Sequence, residues 1–346
     1  MSMNNLPIFA TFSERLSQQR ILHLEHLQSI SPTLYNCIDL EKIPAADALY
    51  EATETVDFRP EAQGGRGESY RLAQKNPHVR LVGIHQLFQL ASPDNSIHSF
   101  PPNYTILDVL GGDGTLFRAL ASLLPSHQMP AILTSDIDEG MVQSSCQYGL
   151  ASIRQSAQHL VIKDDSFDAV IIAYGSHHIP QEQRLQVCKE AWRILKPGGK
   201  FILHDFEQAS PVAQWFEQVV HPYSVMGHDY AHFTRAEITG YLQQAGFHTF
   251  DVHYMYDPFI LKGDSAAQVK DILGQHLFNM YGLVGIEQPF QETAYHLARH
   301  YFQYDYTALA LPSTFGRSEV SIYETEQGWQ IEMPRVALVG LAQKAF

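Results

Sequence analysis

The sequence predicts an α/β protein built on an open sheet, and three stretches carry that prediction. Ile106-Leu107-Asp108-Val109 runs into the glycine-rich turn Leu110-Gly111-Gly112-Asp113-Gly114, and a helical pattern (Leu116, Leu120, Leu123, Leu124) follows. Ala131 to Ser135 reads as a second strand, ending in Asp136, 22 positions after Gly114. Further on, Thr234 and Glu237 form a capping box, Gly246 stops that helix, and Phe247 to Tyr254 reads as another strand. In such a sheet a nucleotide-like ligand sits outside the carboxyl end of the first strand, where glycines let it approach the backbone.

The glycines and acids narrow the ligand. A dinucleotide fingerprint begun at Gly111 meets Asp113 and Leu116, and one begun at Gly112 fails at Phe117. No phosphate loop is present. An acid ahead of the turn repels a pyrophosphate and suits a ligand with a positive or hydroxyl-rich face. Asp136 stands where a carboxylate accepts from both hydroxyls of a ribose. Asp138 reads as the N-cap of the helix starting at Glu139.

These residues resemble the first motif of the class I S-adenosylmethionine (SAM) dependent methyltransferases, roughly acid-x-Gly-x-Gly-x-Gly, through Asp108, Gly112 and Gly114. Leu110 stands at the first glycine of that motif, with Gly111 additional. The resemblance extends through Asp164 to Tyr174 as a fourth strand, Gly175 to Ile179 after it, and Ala191 to Leu203 as helix, turn and fifth strand. It implies a Rossmann-like, seven-stranded α/β sheet with SAM as cofactor. The implied contacts are Asp108, Leu110, Gly111, Gly112 and Gly114 at the loop, Asp136 on the ribose, Ile137 on the adenine, and Ala173 at the end of the fourth strand. Ser156-Ala157 stands where the family commonly has Asp-Ala at the adenine amino group; serine keeps an acceptor there but carries no charge.

Around this core, residues 104–256, the chain divides further. Residues 1–103 read as an N-terminal helical cap. Its helices begin after Thr11 and Glu14 (apolar at Leu16, Ile21, Leu24, Leu27) and cover Ala45 to Ala52, Glu68 to Lys75 and His78 to Leu90. Residues 257–334 read as an insertion or lid, with helices over Ala266 to Tyr281 and Pro289 to Tyr304 and a hairpin turning near Gln327-Gly328. Residues 335–346 hold the last core strand.

With 346 residues, 45% of them hydrophobic, there is chain enough for a large core. A formal net charge of −14 argues against a nucleic-acid partner. Cys37, Cys146 and Cys188 have no metal-ligand spacing and suggest reduced thiols in a cytoplasmic protein. No apolar run reaches a membrane span, so no membrane partner is expected.

Methyl transfer from a sulfonium is an in-line displacement, so an enzyme must mainly align the acceptor and exclude water. A base is needed only where the acceptor must lose a proton. Candidates for acting on the acceptor are Tyr174, His177, His178, His204 and Asp205, at the carboxyl ends of the fourth and fifth strands. Either His177 or His178 can instead be a packing residue, Tyr174 a wall, and Asp205 a cap. Arg59, Arg66, Arg71, Lys75 and Arg80 form a basic cluster, from which Tyr70 and Arg71 are the pair chosen for a carboxylate of SAM or substrate. His221, His228, Asp229 and His232 invite a metal reading, since His-x-x-x-His on a helix can chelate, but Thr234 reads as an N-cap and puts His228 and His232 in the preceding loop, so no metal site is expected. The aromatic run from Phe278 to Tyr306 suits helix packing, a homodimer interface or a substrate wall. The function so read is SAM-dependent methyl transfer to a small molecule of secondary metabolism. The alternative keeps SAM but transfers its aminocarboxypropyl group or cyclises it, releasing methylthioadenosine.

Overall fold

The computed structural model describes residues 17–51 and 65–346. Thr11, Glu14, Leu16, Ala52 and Arg59, named above, lie outside the described residues.

Chain order gives β1 (Thr105–Val109), β2 (Ala131–Asp136), β3 (Ser152–Arg154), β4 (Phe167–Ile172), β5 (Leu195–Phe206) and β6 (Thr249–Tyr256). Then come β7 (Phe259–Gly263), β8 (Ser321–Thr325), β9 (Gly328–Met333) and β10 (Val336–Gln343). Seven strands form one sheet in the order β3-β2-β1-β4-β5-β10-β6. The β1 to β5 pairings are parallel, whereas β10 runs antiparallel between β5 and β6.

Residue alternation along each strand divides the core in two. Ile106, Ile171, Ile202 and Val339 pack on one face, and Leu107, Val170, Leu203 and Leu338 on the other. Both sets are apolar because helices cover both faces. Leu81–Ala91, Thr115–Ala121, Ala266–Tyr281 and Phe290–Tyr301 cover the first; Gln18–Ile30, Gln181–Ile194 and Arg235–Ala245 cover the second.

The N-terminal region is therefore not a single cap. Leu24 and Leu27 of its first helix pack with Ile153 of β3 on one face, whereas Ile84 and Leu87 pack with the C-terminal helices on the other. The insertion between β6 and β10 holds the two expected helices, and its hairpin turns between Thr325 and Gly328. It also holds a strand the sequence reading lacks: β7 pairs with β9 to make a three-stranded sheet, β7-β9-β8. Phe259 to Gly263 is too short and too close to the end of β6 to stand apart from it by pattern. Among the described residues no helix is long and apolar enough to cross a membrane.

Gly114 shows how tightly the first turn is built. It adopts φ +83°, and a Cβ there would lie 2.2 Å from Leu150 Cδ1. Gly114→Ala is expected to lower stability by about 2 kcal/mol, combining left-handed strain with a steric clash. Urea unfolding checks this; a loss below about 0.5 kcal/mol would show that Leu150 simply moves aside.

Candidate active site

One cavity of about 1100 Å³ opens at the carboxyl ends of the core strands. The core contributes Leu110, Gly112, Asp136, Ile137, Ser156, Ala157, Ala173, Tyr174, His177 and His178 to its wall. Arg66, Tyr70 and Arg80 reach it from the N-terminal region, and Met280, Tyr281 and Arg335 from the C-terminal part of the chain. Asp108, Gly111, Gly114, Arg71, His204 and Asp205 do not line it.

The glycine turn explains part of that division. Gly112 adopts φ +57°, and a Cβ there would meet nothing nearer than Met141 Sδ at 4.0 Å, so the space above it belongs to the cavity. Asp108 lies beneath the turn, buried, with its Oδ2 unpartnered. Burial, then the nearby Asp136 and Asp113, raise its carboxyl well above the ordinary range. It shapes the turn from below: a Cβ on Gly111 would lie 2.5 Å from Asp108 Oδ2.

Asp136 is poised differently. Its Oδ2 accepts from Gly112 N at 3.0 Å and its Oδ1 from Asp138 N at 2.9 Å. Burial pushes its pKa up to about 6, against the lowering effect of these hydrogen bonds. A carboxylate facing the cavity, an open backbone position at Gly112 and the apolar Ile137 and Ala157 fit the ribose and adenine of SAM. When bound, SAM supplies an electrophilic methyl on its sulfonium.

Leu110, the irregular residue of the motif, adopts φ +60°. Glycine is the unstrained residue in that conformation. The backbone thus takes a glycine's path, and the departure is confined to a side chain on the cavity wall. Tyr174, at the end of neighbouring β4, is also left-handed at φ +65°. Two such residues side by side are stored strain of the kind that clusters at functional sites. Leu110→Gly relieves about 1–2 kcal/mol of strain, offset by about 0.5–1 kcal/mol of glycine entropy and by lost packing. The expected result is a nearly unchanged melting curve with a changed SAM affinity by calorimetry. An unchanged affinity would make Leu110 a packing residue only.

At the other end of the cavity lies a group of imidazoles. His177 Nδ1 faces Asp205 Oδ1 at 2.9 Å and Oδ2 at 3.0 Å. Asp205, fully buried behind it, also accepts from Ser176 Oγ, His177 N and Phe206 N. Burial alone would raise Asp205; its contacts with His177 and His232 outweigh that and hold the carboxyl well below the ordinary range. The His177 ring lies 4.4 Å from that of His178, 5.0 Å from His228 and 4.9 Å from His232, between centroids. Burial, then the neighbouring imidazoles and Arg66, pushes His228 down to about 2 and His178 well below its ordinary value. One π turn, Phe216–Val220, brings Phe216 to stack on His228 at 4.1 Å. His221 Nδ1 accepts from His228 N at 3.0 Å and so fixes the loop.

Tyr174 donates its hydroxyl to Asp257 Oδ1 at 3.0 Å. Burial and then Asp257 raise it well above its ordinary pKa, which rules it out as a base near neutrality. Its ring packs on His204 at 4.5 Å, leaving His204 behind the wall.

Sequence reasoning missed several wall residues. Arg80 is buried, and its guanidinium lies 4.8 Å over the Tyr174 ring with no carboxylate partner among the described residues. Arg71, the residue preferred over it, lies on the helix Gly67–Gln74, from which Tyr70 and the N-cap residue Arg66 line the cavity and Arg71 does not. Arg335 and Asp257 pair across the two ends of the insertion. His228 was read as a loop residue, which it is; the loop folds back onto His177. Of the aromatic run only Tyr281 lines the cavity, while Tyr295 and Phe302 pack in the core and Tyr304 and Tyr306 in a separate cluster.

Comparison with known proteins accords with this geometry. Residues 107–203 match the family profile described as "Methyltransferase domain". The chain is 31% identical over 155 residues to a ubiquinone/menaquinone biosynthesis C-methyltransferase, UbiE, of Bartonella tribocorum, covering 41% of this chain and 55% of that protein. The UbiE of Bartonella quintana is 36% identical over 139 residues, covering 37% and 51%. The chain thus spans about half the length of the curated relatives it matches. Among solved structures, a chain from the complex between the Haloferax volcanii Trm112 methyltransferase activator and a methyltransferase superposes with a TM-score of 0.50 at 17% identity. That superposition covers 85% of this chain and 100% of the other. Sheet order, glycine turn, Asp136 and the matched segment together make the core of this chain similar to that of the class I SAM-dependent methyltransferases.

Proposed function

We propose that the chain transfers the methyl group of SAM to a small anionic acceptor held between the core and the flanking helices. One observation carries this reading: a cavity joins the nucleoside end, at Asp136 and Gly112, to an end lined by imidazoles and by Arg80, whose guanidinium has no carboxylate partner among the described residues. A buried guanidinium without a carboxylate partner invites one from a ligand, and its fork matches a planar acid. The left-handed turns at Leu110 and Tyr174 hold the wall between the two ends, and the aromatic and apolar side chains around them exclude water.

The reaction itself asks for alignment of the acceptor atom with the methyl carbon. The imidazoles of His177, His178 and His228 stand on the cavity wall where they can act on an acceptor's ionisable hydrogen, whereas Tyr174 is committed to Asp257. The names of the UbiE relatives supply the acceptors to try first, intermediates of ubiquinone and menaquinone biosynthesis methylated at carbon. Aromatic and carboxylate-bearing small molecules of secondary metabolism come next. Titration calorimetry with SAM and S-adenosylhomocysteine tests the cofactor end: no heat at high micromolar ligand sinks the reading. Incubation with SAM and an acceptor panel, with products identified by mass spectrometry, tests the reaction.

A further inference from the structure

We propose that His177, His178 and His228 hold a divalent first-row transition-metal ion at the acceptor end of the cavity, with an open coordination position for an oxygen of the acceptor.

The argument starts from unmet hydrogen-bonding capacity. Both ring nitrogens of His228 and Nε2 of His177 are buried without a hydrogen-bond partner. No hydrogen bond joins any two of the three rings, although their centroids lie 4.4, 5.0 and 5.2 Å apart. Buried polar groups in native proteins almost always have partners, and a cluster of orphaned ones points to a water or an ion. Protonation is no remedy, since three cations at this separation would repel one another in a desolvated site. A metal ion satisfies neutral imidazoles and cannot be replaced in that role by an apolar neighbour.

The geometry fits. One ring nitrogen from each of the three residues lies within 4.8 Å of the others. Nitrogens bound tetrahedrally at about 2.0–2.1 Å lie about 3.4 Å apart, so the rings need close by no more than about 1.5 Å. Rotation of the side chains supplies that. Asp205 supplies the part usually found behind a metal-bound imidazole, a carboxylate holding the far nitrogen, here His177 Nδ1 at 2.9 Å. This leaves His177 Nε2 as the ligand atom.

A second grouping, His177, Asp205 and His232, is also compact. It would consume the Asp205 bond that orients His177, and neither Asp205 nor His232 lines the cavity. The cavity-facing trio is therefore preferred. Three imidazoles without a thiolate suit Zn(II), Fe(II), Co(II) or Mn(II), and three protein ligands leave room for a further oxygen donor. An acceptor hydroxyl coordinated there would ionise more readily, its proton passing to water, so that the oxygen would reach its anionic form without a dedicated side-chain base.

The test uses full-length protein without a histidine tag, stripped by chelator and then exposed separately to Zn(II), Fe(II), Co(II) and Mn(II). Metal content after gel filtration is expected at about one ion per chain for at least one metal, and Co(II) is expected to give visible d–d bands. The His178→Gln/His228→Gln double variant is expected to retain less than about a tenth of that, with an unchanged circular-dichroism spectrum. His228→Gln alone, in a loop, serves should the double variant misfold, with at least a tenfold weaker Co(II) affinity expected. Wild-type protein holding under about a tenth of an ion of every metal, or variants that bind as well as wild type, overturn the proposal. SAM titration of the stripped protein tests the methyl-transfer reading separately, so either can fail alone.

Discussion

Asp136→Ala is expected to weaken SAM binding by roughly ten- to a hundredfold, the size of losing hydrogen bonds of about 1.5–3 kcal/mol to a charged acceptor. Asp136 is the acid on the cavity wall beside Gly112, and both its oxygens already take backbone donors. A ribose diol adds two more donors, and a carboxylate has lone pairs enough for all four. Affinity is therefore expected to depend on pH. Burial places the Asp136 pKa at about 6, above its ordinary 3.8. SAM selects the ionised form, so affinity is flat above about pH 7 and falls as the carboxyl protonates below about 6, by at most tenfold per pH unit. The contribution to folding has the opposite sign. A carboxyl whose folded pKa is raised favours the folded state most below pH 3.8, and that stability is lost as pH rises through about 6. Calorimetry from pH 5 to 8 on wild type and Asp136→Asn decides the matter. A variant that keeps the wild-type pH profile assigns the titration to some other group.

The cofactor end was legible in the sequence because its signals are local. Asp108, the glycines and Asp136 sit at strand ends, where period-two alternation and turn chemistry fix their positions. Even the irregular Leu110 was visible, although its left-handed backbone was not. Asp108 shows where pattern stops short: the same motif residue can face a ligand or lie beneath the turn, and the difference is one of burial. The acceptor end was legible only in part. His177 and His178 were found by their place after β4, whereas His228 reaches them through a loop held by Phe216 and His221, contacts no spacing rule anticipates. The sequence reading set a metal aside because the Thr234 N-cap puts His228 and His232 in the preceding loop and not on one helix, which says nothing about ligands gathered from separate elements. The three imidazoles meet instead from the turn after β4, which carries both His177 and His178, and from a loop some fifty residues later.

Asp257→Ala is expected to cost about 3–5 kcal/mol of stability, the loss that follows when one member of a buried ion pair is left alone. Asp257 and Arg335 are both buried, and Arg335 Nη2 donates to Asp257 Oδ2. Their backbones are joined as well, Asp257 N donating to Arg335 O at 2.9 Å, and the Arg335 side chain donates from Nε to the Asp257 carbonyl at 2.9 Å. The guanidinium also stacks 3.8 Å from the Phe259 ring centroid, so its position is fixed from two sides. Asp257 opens the insertion and Arg335 closes it, and the pair ties a segment of two helices and three strands back to the neighbouring strands β6 and β10. Losing the carboxylate strands the Arg335 charge and removes the acceptor of the Tyr174 hydroxyl. Replacing both partners, as Asp257→Leu with Arg335→Met, should cost less than Asp257→Ala alone, because no uncompensated charge remains. A double-mutant cycle in urea measures the difference. A loss below about 1 kcal/mol for Asp257→Ala would mean that water reaches Arg335 and the insertion is held by its apolar contacts. A large loss together with weakened acceptor binding would instead make the pair the point where the stability of the insertion and the shape of the cavity meet, since Arg335 and Tyr174 both line its wall.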